Sequence, residues 1–272
     1  MKNTIPSLAA KKKSGEKIVM LTCYDAAFAK ILDASDIDLI LVGDSLGMVI
    51  QGHENTLPVT IEDLLYHTAC VTRAARKTLV VADLPFMSYQ VSLQQALENA
   101  GRCLKEGLAH AVKLEGGSER LKTIHALYHA GIPVMGHIGL QPQSIHQLGG
   151  YKIQGKTAQA AKHLINEAIL LEEAGCFALV LEGIVADVAR QITEQLNIPT
   201  IGIASGPHCD GQVLVLHDLL GLDPNWQPSF VKRYVEGHQI ISNAVNAFAK
   251  EVRQGEFPKE NLEQKEELRA VK

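Results

Sequence analysis

Short, nearly continuous apolar runs alternate along the chain with longer stretches in which apolar residues recur every three or four positions. The short runs fall at 18–22, 39–42, 79–82, 111–114, 133–137, 178–181, 200–203 and 213–217. They are rich in Val, Ile and Leu and lack strict alternation, the pattern of parallel strands covered on both faces. The longer stretches, 26–34, 61–76, 93–106, 119–129, 158–174 and 185–196, carry a helical period. Thr60, Ser92, Ser118 and Thr157 precede four of them, and Gly107, Gly131 and Gly175 follow three, as helix starts and stops do. Gly131-Ile132-Pro133 and Asn197-Ile198-Pro199 each end a helix and lead into a strand. About eight strands with helices between them predict an α/β fold of the closed (β/α)8 type, a TIM barrel, over an open sheet. The run at 213–217 is the least regular of the eight.

A length of 272 residues suits one such barrel, and no linker interrupts it, so residues 1–272 read as a single domain. After Pro228, 230–252 reads as a long amphipathic helix, and 259–272 as a charged, solvated tail. A net charge of -4 gives no nucleic-acid footprint. The one basic run, Lys11-Lys12-Lys13, reads as a solvated N-terminal segment. No apolar stretch approaches the roughly 18 residues of a membrane span. No apolar leader opens the chain, and the five scattered cysteines fit small core residues in a reducing cytoplasm.

The chemistry lies where the acids sit. Asp44, Asp83, Glu115 and Glu182 each follow an apolar run. In α/β barrels the C-terminal strand ends form the active site, so these acids are expected on one rim. Lys113 and Glu115 are two apart and point to the same face of their strand. A lysine there needs an anionic partner, because an unpaired buried ammonium costs several kcal/mol. Four carboxylates and one lysine leave three negative charges, which a divalent cation would relieve. All the donors are oxygens, with no cysteine cluster, which favours Mg2+ over Zn2+. Any one acid alone reads better as a helix cap or a surface partner; the recurrence is what points to a site.

Weaker signals accompany it. His137 ends a strand and fits a second-sphere or substrate contact. The stretches 48–60 and 139–151 suit a lid and a rim loop, or ordinary loops. His208-Cys209-Asp210 has a soft-metal composition without a second ligand pair, and Ser205-Gly206 could cradle a phosphate.

Six strings in order resemble one family: Cys23-Tyr24-Asp25, Val42-Gly43-Asp44-Ser45-Leu46-Gly47, Ala82-Asp83-Leu84-Pro85-Phe86, Val112-Lys113-Leu114-Glu115-Gly116-Gly117, Gly136-His137-Ile138-Gly139-Leu140 and Leu181-Glu182. They look like the ketopantoate hydroxymethyltransferases, barrels of the phosphoenolpyruvate/pyruvate superfamily. The resemblance implies transfer of a hydroxymethyl group from 5,10-methylenetetrahydrofolate to the keto acid 3-methyl-2-oxobutanoate, giving 2-dehydropantoate for pantothenate synthesis. It implies Mg2+ on Asp44, Asp83 and Glu115, keto-acid binding by Asp44, Ser45, Asp83 and Lys113, and Glu182 as general base. It also implies a homo-oligomer, commonly a decamer. Two other readings stay open on the residues alone: a related Mg2+-dependent α-keto-acid lyase or mutase, and a catalytically silent ligand-binding barrel.

Overall fold

Eight parallel strands close into a barrel in strict chain order, β1 to β8, in a computed structural model that describes residues 3–258. They are β1 (Ile18–Thr22), β2 (Leu39–Val42), β3 (Leu79–Asp83), β4 (Ala111–Lys113), β5 (Val134–Gly139), β6 (Cys176–Glu182), β7 (Thr200–Ile203) and β8 (Gly211–Leu214). The expected (β/α)8 architecture is therefore present. β8 pairs with β1 from Ile18↔Gly211 to Leu21↔Leu214, which closes the ring.

The barrel core follows from the period of two. Ile18 and Met20, Leu39 and Leu41, Leu79 and Val81, Ala111, Met135, Ala178 and Val180, Ile201 and Val213 form one buried cluster. Two more residues along the same strands, the same face carries Asp83, Lys113, His137 and Glu182. The packed apolar interior thus gives way to a charged layer at the C-terminal strand ends, as barrel enzymes require.

The helices stand close to expectation: Ala26–Ala34, Ile61–Ala74, Leu93–Lys105, Leu121–His129, Ala158–Glu173 and Ala186–Gln195. Thr60, Ser92 and Thr157 cap three of them through their hydroxyls. Four cysteines are buried, as expected of core residues, and Cys70 is half-buried.

The basic N-terminal run differs from expectation. It belongs to a helix, Ile5–Ser14, capped by Thr4 and stopped by Gly15 in the left-handed region. Leu8 joins the barrel core, with Ile5 packed against it. Lys11 reaches Asp38 and Glu16, both at 2.7 Å, and Lys12 reaches Asp210 at 2.7 Å. Distant acids, which a local reading cannot see, draw Lys11 and Lys12 out of water.

The chain divides between Leu216 and His217 into two compact units. In the second, the amphipathic helix expected from residue 230 begins later, spanning Gly237–Gln254. Arg233 holds the preceding turn by donating to the carbonyls of Asp223 and Trp226 at 2.8 and 3.0 Å. The tail 259–272 lies outside the described residues. Among the described residues no helix is long and apolar enough to cross a membrane.

Candidate active site

Asp83 and Lys113 are the last residues of β3 and β4 and face each other in register. The Lys113 ammonium donates to both Asp83 oxygens, at 2.7 and 2.8 Å, and both residues are buried. The partner that Lys113 requires is therefore on the neighbouring strand. Asp44 follows the Gly43 turn after β2, and Glu115 lies two residues past β4; both are buried. At Gly43 a side chain would come within 2.8 Å of the Ser45 hydroxyl, so the turn stays tight. Ser45 Oγ lies 2.8 Å from the buried Tyr24 hydroxyl.

Glu182 ends β6 opposite Gly139 in the ladder, and the Leu140 N–H donates to the Glu182 carbonyl at 2.7 Å. Gly139 sits at φ 101°, and a Cβ there would meet that carbonyl oxygen. The Glu182 side chain keeps 19% of its surface exposed, far more than the 3% and 4% of the Glu115 and Asp83 side chains. Of these three carboxylates it is the one best placed to meet a diffusing molecule.

His137 stands between two acids. Its ring nitrogens lie 3.7 Å from Glu115 Oε1 and 3.5 Å from Glu182 Oε2, without hydrogen-bond geometry to either. Burial, reinforced by the Lys113 charge, holds its pKa well below the usual range, so the ring is neutral.

The electrostatics express crowding. Burial, then the Asp83 charge, pushes Asp44 up to about 7. Burial raises Glu182 to about 8; Lys113 opposes this, and Asp44 and Asp83 add to it. Glu115 is raised well above the carboxylate range by burial, with Asp44, Asp83 and Glu182 adding to it against Lys113. Burial works against the Lys113 charge too, but Asp83, Glu115 and Asp44 outweigh it and hold the ammonium protonated.

Two residues of the site carried no sequence signal. Gln143, on the one-turn helix Pro142–Ser144 of the expected rim loop, donates its Nε2 to Asp44 Oδ2 at 2.9 Å. Tyr89 gives its hydroxyl to Gln143 Oε1 at 2.7 Å. A cavity of about 510 Å3 opens beside Glu115, lined among others by Tyr89, Gln90, Arg120, Gln143 and Gln147.

Among the described residues no three His, Cys, Asp or Glu side chains stand in a metal-holding array. Lys113 holds Asp83, and Gln143 holds Asp44. The donor set nevertheless suits a hard divalent cation: the groups are oxygens, and four acids, three of them buried, share one ammonium. The two weaker sequence candidates have local work. Asp210 accepts from the Thr200 N–H and from Lys12, and Ser205 donates to the Leu181 carbonyl and accepts from the Ile184 N–H.

Nearly the whole chain matches a known family. The family model described as "Ketopantoate hydroxymethyltransferase" matches residues 2–260. The chain belongs to the ketopantoate hydroxymethyltransferase family. The 3-methyl-2-oxobutanoate hydroxymethyltransferase of Geobacter sulfurreducens is 57% identical over 94% of this chain and 96% of its own. That of Clostridioides difficile is 50% identical over 96% and 94%. Such coverage makes this chain an enzyme of the family's activity. Among solved structures, phosphonopyruvate hydrolase with oxalate and Mg2+ superposes with TM-score 0.64 at 12% identity, covering 99% of this chain and 98% of that one. A 2,3-dimethylmalate lyase of the PEP mutase/isocitrate lyase superfamily gives 0.58 at 16% identity, covering 94% and 99%. These two likenesses bear on the fold: ketopantoate hydroxymethyltransferases share a barrel type with enzymes of other activities.

Proposed function

We propose that this enzyme moves a hydroxymethyl group from 5,10-methylenetetrahydrofolate to 3-methyl-2-oxobutanoate, giving 2-dehydropantoate, with Mg2+ at the acid rim. The observation that carries the reading is one ammonium set among four acids, three of them buried and Glu182 the most exposed. Asp44, Asp83 and Glu115 would hold the metal, directly or through water. Bound there, Mg2+ supplies Lewis acidity toward the substrate's keto and carboxylate oxygens and so acidifies the C3 proton.

The chain's own residues do the rest. Asp44, Ser45, Asp83 and Lys113 bind the keto acid. Glu182 takes the C3 proton onto its carboxylate; the burial that raises its pKa makes that carboxylate a stronger base once ionised. Lys113 offsets the negative charge that develops on the keto oxygen. Neutral His137 stays beside the base without competing for its proton. Water adds to the donor's one-carbon unit, both of its C–N bonds break as tetrahydrofolate leaves with the water's protons on its nitrogens, C3 bonds to that carbon, and the proton held by Glu182 returns to the new alkoxide. The cavity beside Glu115 offers room for the donor's one-carbon end. The setting is a cytoplasmic homo-oligomer, decameric by family resemblance.

The test is an assay of 2-dehydropantoate formation with and without Mg2+, with Asp83→Asn alongside. Mg2+-dependent turnover lost in the variant supports the reading. Turnover of phosphonopyruvate or isocitrate in place of 3-methyl-2-oxobutanoate would overturn it.

A further inference from the structure

We propose that Gln143 is the positioning residue that assembles the acid cluster for its cation; this rests on the reading of Asp44 and Glu115 as cation ligands. Gln143 is buried. Its backbone N–H donates to Glu115 Oε2 at 3.1 Å. Its side-chain Nε2 donates to Asp44 Oδ2 and to the Leu84 carbonyl, both at 2.9 Å. Its Oε1 accepts from the Tyr89 hydroxyl at 2.7 Å and from Gln90 Nε2 at 3.2 Å. One residue of the loop after β5 thus touches the chain where it leaves β2, β3 and β4.

The amide has one workable orientation. The Tyr89 hydroxyl accepts the Glu115 N–H at 3.1 Å and carries a single proton of its own. The nearest acceptor for that proton is Gln143 Oε1; the Glu115 carbonyl is farther, at 3.2 Å. With Oε1 so engaged, the amide N–H groups point at Asp44 and the Leu84 carbonyl. A flipped amide would set its oxygen against a carboxylate and a carbonyl, three acceptors with no proton among them. Tyr89 therefore fixes Gln143, and Gln143 fixes Asp44 and Glu115.

The residue type matters. A lysine at this position would neutralise Asp44 and compete with a cation. A carboxylate would add a fifth negative charge. An amide supplies directional hydrogen bonds at no change of charge, so it orders Asp44, while the backbone N–H beside it orders Glu115, and the acids' demand for a cation stays intact. Loss of such an outer partner typically weakens metal binding about 10–100-fold.

Mn2+ is the probe, titrated into the full-length protein and followed by the electron paramagnetic resonance of the free ion, with 3-methyl-2-oxobutanoate saturating. Gln143→Met keeps length and bulk and removes every side-chain hydrogen bond. It is expected to weaken Mn2+ binding about 10–100-fold while keeping the wild-type circular dichroism. Tyr89→Phe is expected to weaken it by a smaller factor. Folded Gln143→Met that binds Mn2+ like wild type, while Asp44→Asn loses binding, overturns the proposal and leaves the cation reading standing. Unchanged binding in Asp44→Asn overturns that reading and this proposal together. Should Gln143→Met not fold, Tyr89→Phe decides: weaker binding supports the proposal, and wild-type binding overturns it.

Discussion

The Lys113 ammonium grips both oxygens of Asp83 across two strand ends that sit in register. Either group alone would be a buried, unpaired charge. Lys113→Met is expected to destabilise the protein by about 3–5 kcal/mol, since it leaves Asp83 without a partner among acids. The double variant Lys113→Met/Asp83→Asn should recover much of that loss and still show no turnover. Urea unfolding of the double-variant cycle checks this; equal stability of single and double variants would contradict it.

Glu182 and the keto acid should separate binding from chemistry. Glu182→Gln keeps shape and removes the proposed base. Exchange of the substrate's C3 proton with solvent deuterium is expected to fall at least about 100-fold, while keto-acid affinity changes little. Proton exchange followed by NMR, beside calorimetric binding, reads both. Undiminished exchange in the variant would remove Glu182 from the base role.

Crowded acids give a pH signature when a chelator removes divalent cations. Asp44 at about 7 and Glu182 at about 8 lie above their ordinary values of 3.8 and 4.5. Between those limits the folded chain holds protons that the unfolded chain has released. Stability contributed by these groups is therefore present at low pH and lost as pH rises through their folded values. In chelator, Glu182→Gln should gain thermal stability relative to wild type from pH 6 to pH 8, and added Mg2+ should close the gap at pH 8. Scanning calorimetry at both pH values tests it.

Asp33 behaves in the opposite sense. Burial raises its pKa, but hydrogen bonds from the backbone at 76–78 and from the Thr78 hydroxyl outweigh burial and hold it below 3.8. Its stabilisation is complete above the unfolded value and disappears as pH falls through the folded one. Asp33→Ala should cost about 1–3 kcal/mol at neutral pH, and the difference from wild type should shrink in acid. A constant difference down to pH 2 would refute this account.

The N-terminal helix contributes through one side chain. Leu8→Ala is expected to destabilise by about 2–5 kcal/mol with kcat unchanged, because Leu8 packs against core residues well below the acids. Chemical denaturation and steady-state turnover on the same preparation distinguish the two effects.

Strand positions were legible because parallel strands covered on both faces write continuous apolar runs. The runs at 18–22, 39–42 and 200–203 match β1, β2 and β7 residue for residue. β8 starts two residues and ends three residues before the expected run, since Gly211-Gln212 carries no apolar signal and pairs only because β1 and β7 flank it. The acids were legible from their recurrence at strand ends. Gln143 was not: a neutral side chain in a loop has neither period nor charge. Its partners Asp44, Leu84, Tyr89 and Glu115 lie 99, 59, 54 and 28 residues away. The N-terminal helix escaped for a similar reason, because the acids that give Lys11 and Lys12 their place, Asp38 and Asp210, are remote in sequence.

The two lysines of that helix set one end of the barrel apart from the other. Asp38 and Asp210 immediately precede β2 and β8, and each is answered by a lysine at 2.7 Å. At the opposite strand ends one ammonium serves four acids. The barrel is therefore paired charge for charge at these two floor positions, while its mouth gathers carboxyls whose ionisation their own crowding resists. On the proposed function, cation binding and ionisation of these carboxyls are coupled, so affinity for the cation is expected to climb with pH as the protons leave.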